Sequence, residues 1–141
     1  MKNILVVDDD FQQRDLYIEF LRSKGFVVTG ANDGQDAWEK IQKQKPDLVF
    51  TGIAMPRMTG FELIEKLRAT PATASLPIIV FSHLGREEDK KRAKALGVEF
   101  KIKGYDGPVE ILQAVEELLT PKKSNKPLSI EDDTRSGAAS I

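Results

Sequence analysis

The stretch KNILVVDDD, residues 2–10, determines how the rest of the chain is interpreted. A nearly continuous apolar run at residues 4–7 leads directly into Asp8, Asp9 and Asp10. Such a run is typical of a parallel strand that is buried on both faces of its sheet. In open α/β sheets, ligands bind beyond the carboxyl ends of the strands. The stretch therefore predicts a buried first strand that delivers carboxylates to a functional edge.

Four more apolar segments follow, and segments of helical period separate them. The predicted strands cover residues 2–7, 26–29, 47–53, 76–82 and 98–103, and the predicted helices cover residues 11–24, 33–42, 60–68, 86–96 and 108–119. Strands that alternate regularly with helices form a parallel sheet with helices on both faces. We therefore expect a doubly wound α/β fold with a five-stranded parallel sheet.

The composition is that of one globular domain, because the 141 residues are 40% hydrophobic and 30% charged. We expect residues 1–120 to fold and residues 121–141, which hold few apolar side chains, to be a disordered tail. The net charge of −1 gives no indication of nucleic-acid binding or of attachment to an anionic membrane. The absence of cysteine excludes disulfides and thiolate zinc sites, and a cytoplasmic location is the simplest interpretation.

The carboxyl ends of four predicted strands supply the candidate site. Asp8 and Asp9 follow the first strand, Gly52 ends the third, Ser82 ends the fourth and Lys103 ends the fifth. Because parallel strands all end at the same edge of the sheet, we expect these residues to lie together. Acids, a hydroxyl and an amine therefore converge on one edge of the sheet, which we identify as the functional edge.

Five motifs, in this order and at these separations, resemble the receiver domains of response regulators, the CheY-like family. They are residues 4–10 (ILVVDDD), 46–50 (PDLVF), 55–60 (MPRMTG), 77–82 (PIIVFS) and 100–103 (FKIK). The resemblance extends over residues 2–119. It implies the flavodoxin-like strand order 2-1-3-4-5, a part in two-component phosphorelay signal transduction, and no enzyme activity of the chain's own.

The resemblance also assigns a metal site. Asp8 and Asp9 match the acidic pair that helps to hold Mg²⁺ in receivers, and Ala54 would offer a backbone carbonyl to the same ion. Mg²⁺ is a hard cation that prefers carboxylate, carbonyl and water oxygens, so these residue types suit it.

Three more positions follow from the same resemblance. Ser82 and Lys103 match the hydroxyl and the amine that contact phosphoryl oxygens in receivers. Phe100, three residues before that lysine, matches the aromatic residue that changes rotamer on activation.

The phosphorylated aspartate of the family falls on Gly52, and the Met55-Pro56 pair downstream fixes this register. Glycine has no side chain, so it cannot carry an aspartyl phosphate. The metal site also loses one of its three carboxylates, and we expect any Mg²⁺ binding to be weakened. Without a phosphoryl group, ion pairing with Asp8 or Asp9 is the remaining task for Lys103.

Two further departures from the family pattern lie near the site. His83 follows Ser82 where a small residue is usual, and we expect it to be an exposed loop residue that crowds the site. Gly104 follows Lys103 where receivers usually have a proline after a cis peptide bond, and we expect the glycine to leave a looser backbone there.

The leading hypothesis is an atypical receiver, or pseudo-receiver, that works by protein–protein interaction. Its expected partners are a histidine kinase, another receiver or an output protein, bound through the face of the fourth helix, fifth strand and fifth helix. A second hypothesis is an ordinary phosphorylated receiver in a Gly52 variant form. A third is a small flavodoxin-like enzyme or nucleotide-binding protein, but the first strand–helix turn is acidic and lacks a glycine loop for phosphate.

Overall fold

The structure, a computed structural model, describes residues 1–120 and shows the expected alternation of strands and helices. The predicted tail at residues 121–141 lies outside the described residues. The strands are β1 (Asn3–Val7), β2 (Val27–Ala31), β3 (Leu48–Thr51), β4 (Ile78–Ser82) and β5 (Glu99–Ile102). The helices are α1 (Phe11–Ser23), α2 (Gly34–Lys43), α3 (Gly60–Arg68), α4 (Glu87–Ala95) and α5 (Pro108–Leu119), with a short 3-10 helix at Pro71–Thr73.

The strands form one parallel sheet in the order β2-β1-β3-β4-β5, as the resemblance implied. This is the flavodoxin-like, doubly wound arrangement, and the predicted fold class is confirmed. The central position of β1 and β3 places the ends of these two strands side by side. No helix of the described 120 residues has the length and apolar character to cross a membrane.

Two apolar clusters, one on each face of the sheet, form the core. One face packs against α2, α3 and α4, and the other packs against α1 and α5. Successive strand residues alternate between the clusters; Val49 lies in the first, whereas Leu48 and Phe50 lie in the second. On the α1 side, Tyr17 meets Phe50 and Phe81 edge-on, with ring centroids 5.3 and 5.2 Å away.

Two of the predicted strands run too far, and both corrections affect the site. β3 was expected to reach residue 53 but ends at Thr51, so Gly52 stands in the first position after the strand. β5 was expected to include Lys103 but ends at Ile102, because Asp106 folds back and accepts a hydrogen bond from the Ile102 amide at 2.7 Å. The turn that follows β5 therefore begins one residue earlier than the sequence pattern indicates.

Polar side chains cap the N-termini of the helices that start at the functional edge. Asp10 accepts hydrogen bonds from the Gln12 and Gln13 amides, at 3.0 and 3.3 Å, and so caps α1. Thr59 and Glu62 form a reciprocal capping box at the start of α3. These caps fix where each helix leaves the sheet.

Gly60, the first residue of α3, lies against the backbone of Gly52. A β-carbon on Gly60 would overlap the Gly52 carbonyl oxygen, whereas the Gly60 amide donates to the Ile53 carbonyl at 2.8 Å. A β-carbon on Gly52 itself has no atom outside its chain neighbours closer than 3.9 Å. Close packing therefore requires glycine at position 60 but not at position 52.

This contrast gives a stability prediction. Gly60→Ala should lower the free energy of unfolding by about 2 kcal/mol, because the added methyl group forces the helix away from a backbone carbonyl. Gly52→Ala is the matched control and should change it by less than about 1 kcal/mol. Urea unfolding followed by circular dichroism measures both, and equal losses in the two variants would contradict the packing argument.

Candidate functional site

A cavity of about 230 Å³ opens at the carboxyl edge of the sheet. It is lined by residues from the ends of β1, β3 and β4, from the turn after β5 and from the start of α4. Six of the seven residues proposed from the sequence line it, namely Asp8, Asp9, Gly52, Ala54, Ser82 and Lys103. The topology therefore brings together side chains that are up to 95 positions apart in the sequence.

An ion pair between Asp8 and Lys103 lies at the centre of this site. The ammonium nitrogen of Lys103 is 3.3 Å from Oδ2 of Asp8, and both side chains are almost buried, at 12% and 11% exposed. The other carboxylate oxygen of Asp8 accepts the Asp10 amide at 3.0 Å. The Lys103 nitrogen also lies 5.5 Å from the ring centroid of Phe81. The expected pairing of Lys103 with an acid of the first strand is confirmed.

The remaining two aspartates of the first motif have different environments. Asp9 is exposed and lines the cavity, so its carboxylate is open to solvent. Asp10 also lines the cavity, but its carboxylate caps α1. Consecutive acids therefore supply a paired carboxylate, an open carboxylate and a helix cap.

Gly52 follows β3 and faces Asp8. Its amide donates to the Val7 carbonyl at 2.9 Å, which keeps its backbone beside the end of β1. A β-carbon at this position would lie 3.9 Å from Oδ2 of Asp8 and 3.9 Å from the Phe81 carbonyl oxygen. A side chain at position 52 would therefore enter the cavity beside the ion pair, and there is room for it.

Ser82 and His83 form one wall of the cavity. The Ser82 hydroxyl oxygen accepts the Leu84 amide at 3.1 Å, which orders the start of the β4–α4 loop. His83 is exposed and lines the cavity, so the expectation of an exposed loop histidine beside the site is confirmed.

The turn after Lys103 contains a glycine in the left-handed region. Gly104 has a φ of +83°, and the bond that precedes it is trans. The Tyr105 and Asp106 amides donate to the Ile102 carbonyl, at 3.1 and 2.7 Å. These hydrogen bonds close the turn, and the expectation that Gly104 leaves a looser backbone than proline would leave stays a prediction. Proline, whose φ is held near −65°, cannot adopt this conformation at position 104.

Phe100 lies apart from the cavity. It is partly buried and packs against the apolar cluster on the α2, α3 and α4 side of the sheet. The structure thus places this residue in a position where its ring contributes to packing. Its expected switching role stays a prediction.

Three charged residues at the site were missed in the sequence analysis. Arg14 donates from Nη1 to the Asp8 carbonyl at 2.8 Å, and Arg86 and Asp89 line the cavity from the start of α4. The contact of Arg14 with a backbone carbonyl six residues earlier has no signature in the sequence. Arg86 and Asp89 stand in a run of charged residues, which carries no signal for any single position.

The cavity offers Mg²⁺ fewer carboxylate ligands than a complete receiver site does. Asp8, Asp9 and the Ala54 carbonyl are hard oxygen donors of the type that Mg²⁺ prefers. However, the Lys103 ammonium already occupies one oxygen of Asp8, and position 52 supplies no carboxylate. Within residues 1–120, no three acidic or histidine side chains are grouped so that they could hold a metal ion. An ion that binds here must compete with Lys103.

The chain is similar to known proteins over nearly all of the described residues. The family model for the response regulator receiver domain matches residues 4–116. The solved structure of the chemotaxis protein CheY4 of Vibrio cholerae superposes with a TM-score of 0.78 at 30% identity, covering 84% of this chain and 99% of that one.

Curated relatives give the same result. The uncharacterized 14.6 kDa protein in the sodA1 3'region of Leptolyngbya boryana is 36% identical over 115 residues, which is 82% of this chain and 88% of that protein. The gliding motility regulatory protein of Myxococcus xanthus is 35% identical over 116 residues, but the match spans only 15% of its length.

The central ion pair makes a testable prediction. Lys103→Met should lower the free energy of unfolding by about 2 kcal/mol, because it leaves the nearly buried Asp8 carboxylate without its cation. In a protein that already carries Asp8→Asn, Lys103→Met should lower the free energy of unfolding by less than half of that amount. Urea unfolding of the four proteins measures this coupling.

The matched control is Lys101→Met, because Lys101 pairs with Glu99 at 4.0 Å and Glu99 is about half exposed. We expect Lys101→Met to lower the free energy of unfolding by less than about 1 kcal/mol. Equal costs for Lys103→Met with and without the Asp8 carboxylate would contradict a stabilising pair.

Proposed function

The chain belongs to the response regulator receiver family, and we propose that it is an atypical member that signals without phosphorylation at the usual position. The observation that carries this proposal is Gly52, which faces Asp8 in the cavity but has no side chain to accept a phosphoryl group. Receivers of this family take part in two-component signalling, and the proposal keeps that context.

The Asp8–Lys103 pair supports the proposal on electrostatic grounds. A phosphoryl group that accumulates negative charge needs nearby cations. In this cavity the nearly buried lysine already has a carboxylate partner at 3.3 Å, so the charge of Lys103 is compensated without any bound anion. Lys103 therefore needs no phosphoryl group as a counter-charge.

The proposed mode of action is protein–protein interaction through the face formed by α4, β5 and α5. The end of this face nearest the cavity carries two large exposed apolar side chains, Tyr105 at 83% and Val109 at 71%. Exposed apolar residues of this size are typical of interaction sites when they lie together. We propose a histidine kinase, another receiver or an output protein as the partner, and the cytoplasm as the location.

A second candidate function is an ordinary phosphorylated receiver whose aspartate has been replaced by Gly52. The open space at position 52 favours it, because a β-carbon there meets no atom closer than 3.9 Å outside its chain neighbours. His83 at the cavity argues against it, since a large side chain at this wall narrows the approach of a phosphodonor. The two candidates differ in what the single substitution Gly52→Asp restores.

Phosphorylation itself gives the direct experiment. After incubation with acetyl phosphate and Mg²⁺, the unmodified chain should show no gain of a phosphoryl mass by intact mass spectrometry. Gly52→Asp should gain one that hydroxylamine removes, because its carboxylate oxygen can attack phosphorus while acetate leaves. Gly52→Asn is the matched control and should gain none. A stoichiometric phosphoryl group on the unmodified chain would contradict the proposal.

The rate of that reaction separates the two candidates. Gly52→Asp should be phosphorylated at least about tenfold more slowly than Gly52→Asp combined with His83→Ala, because small displacements of reacting groups cost rate. Rates are compared with the same donor at saturating Mg²⁺. Equal rates would mean that Gly52 is the only residue that prevents phosphorylation, and would favour the ordinary receiver in variant form.

Mg²⁺ binding should follow the number of carboxylates. Millimolar Mg²⁺ should raise the melting temperature of Gly52→Asp more than that of the unmodified chain, since the third carboxylate adds a hard ligand. Without metal, Gly52→Asp should melt below Gly52→Asn, because like charges crowd the cavity. Equal Mg²⁺ stabilisation of the unmodified chain and Gly52→Asp would contradict the proposed weakening.

A further inference from the structure

The loop between β3 and α3, residues 52–59, contains a strained turn at Arg57. Within residues 1–120, Arg57 is the only non-glycine residue with a positive φ, at +66°. The Met58 amide donates to the Pro56 carbonyl at 2.7 Å and closes a three-residue turn around Arg57. A turn of this kind with a positive φ at its centre is rare and unfavourable for a residue with a side chain. Some contact must therefore hold it.

Arg57 is held by a bidentate ion pair with Asp33. The Arg57 guanidinium donates from Nε to Oδ2 of Asp33 at 2.8 Å and from Nη2 to Oδ1 at 3.1 Å. Planar pairs of this kind are among the strongest hydrogen-bonded contacts. The hydrogen bond from Arg57 holds the pKa of Asp33 below its usual range, so this carboxylate is charged at neutral pH.

Asp33 is well placed to anchor the turn because it is itself fixed. It is only 5% exposed, and its Oδ1 also accepts the Asp36 amide at 2.8 Å, so it caps α2. A second link joins the same elements, since the Gly34 amide donates to the Met58 carbonyl at 3.0 Å. A β-carbon on Gly34 would overlap that carbonyl, which shows how closely the turn approaches α2.

The other end of the loop reaches the cavity. Ile53 and Ala54 both line it, and Ala54 is only three positions before Arg57. The conformation of the turn therefore limits where these two cavity-lining residues can lie.

We propose that the Asp33–Arg57 ion pair is a latch that holds the β3–α3 loop in its strained shape, so that the cavity wall depends on the N-terminus of α2. Opening the latch lets the turn relax and moves the Ile53 and Ala54 wall. A group that competes for Arg57, whose side chain is 57% exposed, would thus alter the cavity without entering it. The inference does not depend on whether the cavity accepts a phosphoryl group.

Three variants separate the ion pair from the backbone strain. Arg57→Ala removes the pair but keeps a side chain that disfavours a positive φ, whereas Arg57→Gly removes the pair and suits that φ. Asp33→Asn removes the charge but keeps an oxygen that can cap α2, so the helix is retained. The readout is amide hydrogen exchange at Gly34 and Met58, measured by NMR together with the chemical shift of the Ala54 amide.

We expect exchange at both amides to accelerate by about tenfold or more in Arg57→Ala and Asp33→Asn, with a shift of the Ala54 amide. Arg57→Gly should accelerate Met58 less than Arg57→Ala does, because its turn is no longer strained. The double variant Asp33→Asn with Arg57→Ala should exchange no faster than the faster single variant, since each single substitution already opens the latch.

The matched control is Arg92→Ala, which removes a surface ion pair with Glu65 at 2.6 Å between α4 and α3, outside residues 52–59. It should leave exchange at Gly34 and Met58 unchanged. Unchanged exchange in Arg57→Ala and Asp33→Asn would overturn the latch. So would additive effects in the double variant, or an equal acceleration in Arg92→Ala.

Discussion

The nearly buried carboxylate of Asp8 must be neutralised, and this requirement organises the functional edge. Lys103 supplies the neutralising charge, with its ammonium nitrogen 3.3 Å from Oδ2 of Asp8. This contact ties the turn after the last strand to the end of the first strand. The pair can form only because the strand order places β1, β3, β4 and β5 side by side with their carboxyl ends together. The tight turn at Gly104 and the hydrogen bonds of Asp106 then keep Lys103 in reach. Breaking such a pair leaves a charge with little water around it, which is costly.

Position 52 determines which chemistry this edge retains. The backbone at Gly52 is held beside β1, and the space for a side chain is open, but no atom there can be phosphorylated. With no carboxylate at position 52, Asp8 and Lys103 compensate each other's charge without a bound anion. We propose that this pairing lets the receiver present one state to its partners. The latch between Asp33 and Arg57 acts on the same cavity from outside, through the backbone of the loop that follows Gly52.

Much of the fold and most of the site could be predicted from the sequence. Buried parallel strands leave a strong pattern, and the motifs fixed the positions of Asp8, Gly52, Ser82 and Lys103, which the structure brings together. The exact strand ends could not be predicted, because they depend on hydrogen bonds such as that from Ile102 to Asp106. The left-handed φ at Gly104 could not be predicted, because glycine permits several turn conformations that the sequence does not distinguish. The Asp33–Arg57 contact, 24 residues apart, has no local signature in the sequence at all.

We propose that this receiver keeps one conformation whether or not a phosphodonor is present. Backbone amide NMR spectra, recorded with Mg²⁺ before and after addition of acetyl phosphate, distinguish one conformation from two. The chemical shifts of the α4, β5 and α5 amides should stay unchanged in the unmodified chain, whereas those of Gly52→Asp should move under the same conditions. Movement of these amides in the unmodified chain, to the extent seen in Gly52→Asp, would contradict it.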